Sequence, residues 1–314
     1  MRGALLIGID HYVDNPLGGC VNDARALRAL LARNANDSRN FECVELTSAE
    51  VGPPITSHGL ESAVTGLLNS ESDTAFIHFS GHGTVEAQGA SAVVAQDGGT
   101  LRLTDIIAMM AESKIRQRVL TLDCCFAGGV GAEQFLSANV SVLPEGVAVL
   151  AAARATESAS EEAGSGAFST YLCAGLDGGA ADVVGRVTVA GLYAYLDEAF
   201  GVLDQRPVMK ANLTRLVDLR TCEPLVPIET LRRLPEFFPD PASNFSLDPE
   251  FEDTVEEHDP DKVAVFKELQ KCAAAQLVVP VDEKHMYFAA MNSKSCRLTA
   301  LGQRYWRLAR EDRL

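Results

Sequence analysis

Two stretches of this 314-residue chain carry residue types that do chemistry. TAFIHFSGHGT, residues 74–84, runs an apolar segment into a Gly-His-Gly turn. RVLTLDCCFAGGVG, residues 118–131, runs a second apolar segment into an aspartate, two adjacent cysteines and a string of small residues. A thiol beside an imidazole is a nucleophile with its base. Gly81 and Gly83 are expected to let the chain turn tightly, leaving the Gly83 amide able to face a developing oxyanion. About forty residues separate His82 from the cysteines, so the chemistry depends on a fold that brings two strand ends together.

The alternation of elements predicts such a fold. Short apolar runs at Ala4 to Ile9, Ala75 to Phe79, Arg118 to Leu122 and Val147 to Ala152 alternate with helical patterns at Cys20 to Arg33, Leu103 to Glu112 and Phe168 to Leu176. Strands that are apolar throughout are buried on both faces, which predicts an α/β protein with a mostly parallel sheet sandwiched by helices. In an open parallel sheet the loops at the carboxyl ends of neighbouring strands share one crevice, and His82 and the cysteines would meet there. The first helix is expected to bury Val21, Ala24, Leu27, Leu30 and Leu31 on one face, with Asn22 or Asp23 as its cap. Leu192 to Leu203 reads as another amphipathic helix.

Composition narrows the class. A content of 47% hydrophobic residues over this length excludes a chain disordered throughout and allows one main and one minor core. A formal net charge of −16 argues against nucleic-acid and anionic-membrane partners, which need clustered Lys and Arg, and suits a cationic substrate. MRGALLIGID lacks the length and cleavage site of a secretory signal, and no run approaches the ~20 apolar residues of a membrane span. Eight cysteines without CxxC pairs point to reduced thiols, a cytoplasmic location and no zinc.

Residues 223–257 are rich in Pro and carboxylates, with no Lys or Arg between Glu236 and Asp261, and read as an acidic linker after a domain spanning 1–222. Beyond it, residues 258–314 suggest a helix starting at Pro260, a strand pair around DEK within VVPVDEKHMYFAA, and a helix capped at Thr299 or Ser295. Helix, hairpin and helix make a small winged-helix-like module. Its five arginines from Arg297 to Arg313 leave a DNA-binding reading open, but the acidic chain favours a module that docks a partner protein.

The pairing of HFSGHG with DCCFAGG resembles the caspase and metacaspase clan of cysteine peptidases, in which one strand ends in S-G-H-G and a neighbour in D-x-C-x-S-G. ALLIGIDHY, LGGCVNDA, VLAAARATESASE, GAFSTYLCAGLDGGAAD and VTVAGLYAYLDEAF extend the resemblance over about residues 1–220. It implies a cysteine endopeptidase with His82 and Cys125 as catalytic residues and the backbone N–H groups of Gly83 and Cys125 as oxyanion donors. Ala127 stands where the clan has Ser. Strand alternation agrees, since it turns Asp123 and Cys125 one way and Cys124 the other, toward the core. The resemblance further implies that Cys20, Asp23 and Asp123 line a pocket for a basic P1 side chain, two carboxylates favouring Arg or Lys and repelling Asp. The alternative for Asp23 is a helix cap. His11 sits in a loop near the presumed cleft, and His78 within a strand reads as a core residue. No cofactor is implied, although some metacaspases require Ca²⁺. Residues 119–153 contain neither Lys nor Arg, so an enzyme selective for basic P1 residues is expected to act as an uncut chain there. A peptidase with an accessory module is similar to bacterial caspase-like effectors of defence or signalling. The alternative is a catalytically silent scaffold acting through the C-terminal module.

Overall fold

The computed structural model describes residues 1–86, 89–124, 126–127 (backbone only), 143–152, 166–200 and 207–314. They divide into two units, the first comprising residues 1–181 and 186–222, the second 182–185 and 223–314.

The first unit opens with β1 (Arg2–Gly8), α1 (Cys20–Leu31), β2 (Glu42–Thr47), α2 (Ser57–Leu68) and β3 (Thr74–Ser80). Short strands β4 (Gly83–Val85), β5 (Ser91–Val94) and β6 (Thr100–Arg102) lead into α3 (Leu103–Glu112) and β7 (Gln117–Asp123). Then come β8 (Phe126–Ala127), β9 (Val147–Ala151), α4 (Ala167–Ala174), β10 (Arg186–Thr188), α5 (Val189–Ala199), β11 (Val208–Asn212) and β12 (Asp218–Thr221). Six strands form the main sheet in the order β11-β9-β7-β3-β1-β2, all parallel except β11, which runs antiparallel to β9. This is the expected mostly parallel, helix-sandwiched α/β sheet. Every residue of β3 and β9 is buried, as continuous apolar strands require.

The two faces of the sheet carry different cores. On one, α2 and α3 set Leu60, Val64, Ile106 and Met110 against Ile77, Phe79, Leu120 and Leu122. On the other, α1, α4 and α5 set Leu27, Leu31, Phe168, Leu172 and Leu192 against Leu6, Phe76, Val119 and Leu150. Side chains alternate along each strand, so β3 and β7 turn His78, Ser80, Thr121 and Asp123 toward the second face, where all four are buried. That row of polar residues at the carboxyl ends of the two central strands is the foundation of the site. Two elements escape the sequence pattern. β2 (ECVELT) is a half-polar edge strand, and α2 (SHGLESAVTGLL) holds two glycines, so neither gives a clear period. Residues 201–203, the expected end of the amphipathic helix now seen as α5, lie outside the described residues.

The second unit contains α6 (Ile228–Arg232), α7 (Leu234–Phe237), β13 (Asn244–Ser246), α8 (Pro260–Ala274), β14 (Val278–Val281), α9 (Met286–Met291), β15 (Ser295–Leu298) and α10 (Ala300–Arg310). Two expectations need correction here. Residues 223–257 are not a linker: Leu231, Leu234, Phe237, Phe238, Leu247 and Phe251 are buried in the unit's core beside Phe266 and Leu269. The carboxylates that suggested a solvated tether are spaced between aromatics that pack edge to face, Phe245 on Phe251 at 5.7 Å and Phe251 on Phe266 at 6.1 Å. Nor does the chain form a strand pair around DEK. Met286, Ala289 and Ala290 are buried at helical spacing in α9, and β14 pairs instead with β15, whose other edge takes β13. Thr299 does cap α10, its Oγ1 accepting from the Gly302 N–H at 3.1 Å, and Asp259 caps α8. No helix of the described residues is long and apolar enough to cross a membrane.

Candidate active site

His82 follows β3 directly and is half-buried. Its Nε2 lies 2.6 Å from the backbone carbonyl of Asn15, and a carbonyl can only accept, so Nε2 carries the proton. In the neutral ring Nδ1 is then the nitrogen that can take a proton. Asn15 belongs to the loop between β1 and α1, which closes on itself through bonds from the N–H groups of Tyr12 and Leu17 to the Asp10 carbonyl at 3.1 and 2.8 Å. Asn15 adopts a left-handed conformation at φ 54°, which asparagine tolerates better than most residues. Tyr12, from the same loop, accepts the His82 N–H at 2.9 Å, donates to the Val94 carbonyl at 3.1 Å and lies against the imidazole with ring centres 4.4 Å apart. His82 is thus held at its backbone, its ring face and one ring nitrogen.

The glycines act differently from the expectation. Neither Gly81 nor Gly83 has positive φ. Gly81 is needed for space, since a Cβ there would stand 2.5 Å from the Tyr12 hydroxyl and 2.9 Å from the Phe79 ring. Gly83 opens β4 and pairs with Phe126 of β8, while Thr84 pairs with Ala127. Cys125 itself lies outside the described residues. Its predecessor Cys124 is 3% exposed and packs in the core under α2 and α3, and the backbone of its successor Phe126 runs beside Gly83.

A second cluster stands at the same strand ends. Asp23, in the first turn of α1, is 2% exposed, and Asp123, the last residue of β7, is 6% exposed. Asp23 does not cap α1, nor does any side chain at the helix's own start. The cap comes from Asp10 at the end of β1, whose Oδ1 and Oδ2 accept from the N–H groups of Cys20 and Val21 at 2.7 and 3.2 Å. Asp23 instead accepts from the Ser80 hydroxyl at 2.8 Å and from the Gly166 N–H at 3.4 Å. Burial, reinforced by the nearby charge of Asp123, lifts its pKa to about 7 despite the Ser80 bond. Asp123 accepts from the Ser169 N–H at 3.0 Å and the Ser169 hydroxyl at 2.8 Å. Cys20, the first residue of α1, is buried, and desolvation pushes its thiol well above the usual range. All three residues expected to line a pocket therefore lie together. His11, in the same loop as Tyr12 and Asn15, has its Nδ1 3.2 Å from the Ser48 hydroxyl. His78 is fully buried with Nδ1 2.9 Å from the Thr121 hydroxyl, and desolvation lowers its pKa to about 3.

Sequence reasoning passed over Asn15, Tyr12, Asp10, Ser80 and Ser169. Asn15 contributes only a backbone carbonyl, which no residue type announces. Ser80 stands within HFSGHG, two residues before His82.

A six-stranded α/β sheet whose neighbouring strands end in Ser-Gly-His-Gly and Asp-Cys-Cys defines a protein with the cysteine-protease fold of the caspases. The sequence model of the caspase domain, peptidase C14, matches residues 1–217, and the chain belongs to that family. Among solved structures the fold is similar to caspase-1 from Spodoptera frugiperda, with a TM-score of 0.53 and 12% identity over 70% of this chain and 92% of that one. No curated protein matches the sequence.

Proposed function

We propose that the protein is a cysteine endopeptidase that uses Cys125 and His82 to cleave after Arg or Lys. The observation that carries this reading is the pair of buried carboxylates, Asp23 and Asp123, at the same strand ends as His82. Two carboxylates in one buried cluster suit the guanidinium or ammonium of a basic P1 side chain through charge-assisted hydrogen bonds. Asp10 already caps α1, which removes the competing explanation for Asp23.

In the proposed reaction the Cys125 thiolate attacks the scissile carbonyl carbon and the carbonyl π bond opens to an oxyanion, which the backbone N–H groups of Gly83 and Cys125 receive. The intermediate collapses with cleavage of the C–N bond as protonated His82 delivers the Nδ1 proton to the leaving amine. Water then adds to the acyl-enzyme, His82 takes its proton, and the thiolate is released with the acid product. The Asn15 carbonyl supports this cycle by holding Nε2–H in place while Nδ1 gains and loses its proton. The reading extends to a cytoplasmic effector of bacterial defence or signalling, with residues 223–314 docking a partner protein.

Fluorogenic peptides that differ only in P1 test the core of it. Arg and Lys substrates are expected to turn over, Asp substrates to resist, and Cys125→Ala to abolish all turnover. Preference for the Asp peptide would overturn the reading.

A further inference from the structure

We propose that Ser169 is a positioning residue for substrate selection, holding one oxygen of Asp123 with both its backbone N–H and its hydroxyl, so that α4 sets where the second carboxylate of the pocket stands. The inference rests on the reading of Asp23 and Asp123 as a pocket for a basic P1 side chain. Both donors converge on Oδ2, at 3.0 and 2.8 Å, and Ser169 is 1% exposed. Two hydrogen bonds from one buried residue to one oxygen restrict rotation of the carboxylate. The two Ser169 donors are neutral, so they orient the carboxylate without themselves cancelling its charge.

The start of α4 is built for this approach. A Cβ on Gly166 would stand 2.3 Å from Asp123 Oδ2, so the helix closes on the carboxylate only if position 166 has no side chain. The Gly166 N–H also reaches Asp23 Oδ2 at 3.4 Å, and residues 166 to 169 therefore touch both acids. Below them, His78 competes weakly for the serine proton. The Thr121 hydroxyl donates to the Ile77 carbonyl at 3.3 Å and so accepts from His78 Nδ1 at 2.9 Å, which leaves Nε2 as an acceptor. Ser169 Oγ is 3.5 Å from that nitrogen and 2.8 Å from Asp123, so its single proton is directed to the carboxylate.

The test compares a peptide with Arg at P1 against its neutral isostere with citrulline. Ser169→Ala is expected to raise KM for the Arg peptide about tenfold, the worth of one hydrogen bond to a charged group, with a smaller change in kcat. The Arg-to-citrulline preference is expected to fall by the same factor, and Ser169→Thr, which keeps the hydroxyl, to recover it. In an Asp123→Asn background Ser169→Ala is expected to add less than about twofold, because it acts through that carboxylate. Ser169→Cys, with a weak donor of similar size, replaces the alanine variant if that one does not fold, and the same fall in preference is expected. A preference unchanged in the serine variants, a loss confined to kcat, or a full additional effect in the Asp123→Asn background would overturn the role of Ser169. Absence of any Arg preference in the wild type would instead overturn the pocket reading and this inference with it.

Discussion

Carboxylates in two regions of this chain look alike in composition and behave in opposite ways. Between Glu236 and Asp261 they alternate with aromatics, and apart from the buried Glu252 the acids face water or pair at the surface, as Asp248 and Glu250 do with Lys262 at 2.8 and 2.6 Å. Asp23 and Asp123 are buried, and each accepts hydrogen bonds from a serine hydroxyl and a backbone amide. Exposed ion pairs contribute little because water and salt already satisfy both partners. Burial makes Asp23 resist ionisation, and a helix that places an acid there gives up stability for a local negative potential once it ionises. Density of charge therefore says little about function, whereas acids set on the buried face of an apolar helix and at the end of an apolar strand say a good deal.

The comparison breaks most severely if the buried pair proves dispensable. Asp123→Asn is expected to lower kcat/KM for an Arg peptide on the order of 100-fold, the loss of a charge-assisted contact to the guanidinium, while citrulline peptides change far less. Equal losses on both peptides would mean that the acid supports the fold and not the pocket.

The next effect is a pH dependence. Asp23 titrates near 7 in the folded protein against 3.8 as its ordinary value, a raised acid pKa caused first by burial. Its contribution to stability is complete below the ordinary value and is lost as pH rises through about 7. Ionisation over the same range supplies the charge that a P1 cation needs. The wild-type Arg-to-citrulline preference should therefore rise between pH 6 and 8 as Asp23 loses its proton. Asp23→Asn should flatten both the preference and the part of the thermal-stability slope between about pH 4 and 7 that this residue causes. A slope that survives the substitution belongs to another group.

A third outcome concerns the segment between Cys125 and β9. With neither Lys nor Arg in residues 119–153, active wild-type protein should show no nick there by intact mass. A nick within 129–146 that is absent from Cys125→Ala would contradict basic-P1 selectivity. The smallest effect is expected at the surface. Asp248→Asn should shift the melting temperature by no more than about 2 °C and leave peptide turnover unchanged. A larger loss would show that the acidic segment of the second unit is held by charge and not by its phenylalanines.

Much of the first unit was legible because its central strands are apolar at every position, which only a sheet covered on both sides explains. His82 was legible as a residue type set at a strand end, whereas Asp123, Asp23 and Cys20 were picked out only through the resemblance to the caspase and metacaspase clan. The acidic segment 223–257 was misread because charge and proline dominate its composition, while its burial rests on a few phenylalanines whose spacing follows no regular period. The strand pair expected around DEK failed for a related reason: MYFAAM is short and apolar and suits either strand or helix until its neighbours choose.

The sequence by itself determined the class of sheet, the two motifs at its strand ends and the burial of Cys124 in the core, because strand alternation and apolar patterning are local rules. Only the tertiary structure decided which groups serve those motifs. Asn15 offers a carbonyl across a loop, Asp10 caps a helix ten residues away, and Ser169 grips an aspartate 46 residues earlier in the chain. Hydrogen bonds of this kind depend on distance in space and on backbone atoms that every residue possesses, and neither is written in residue type or spacing.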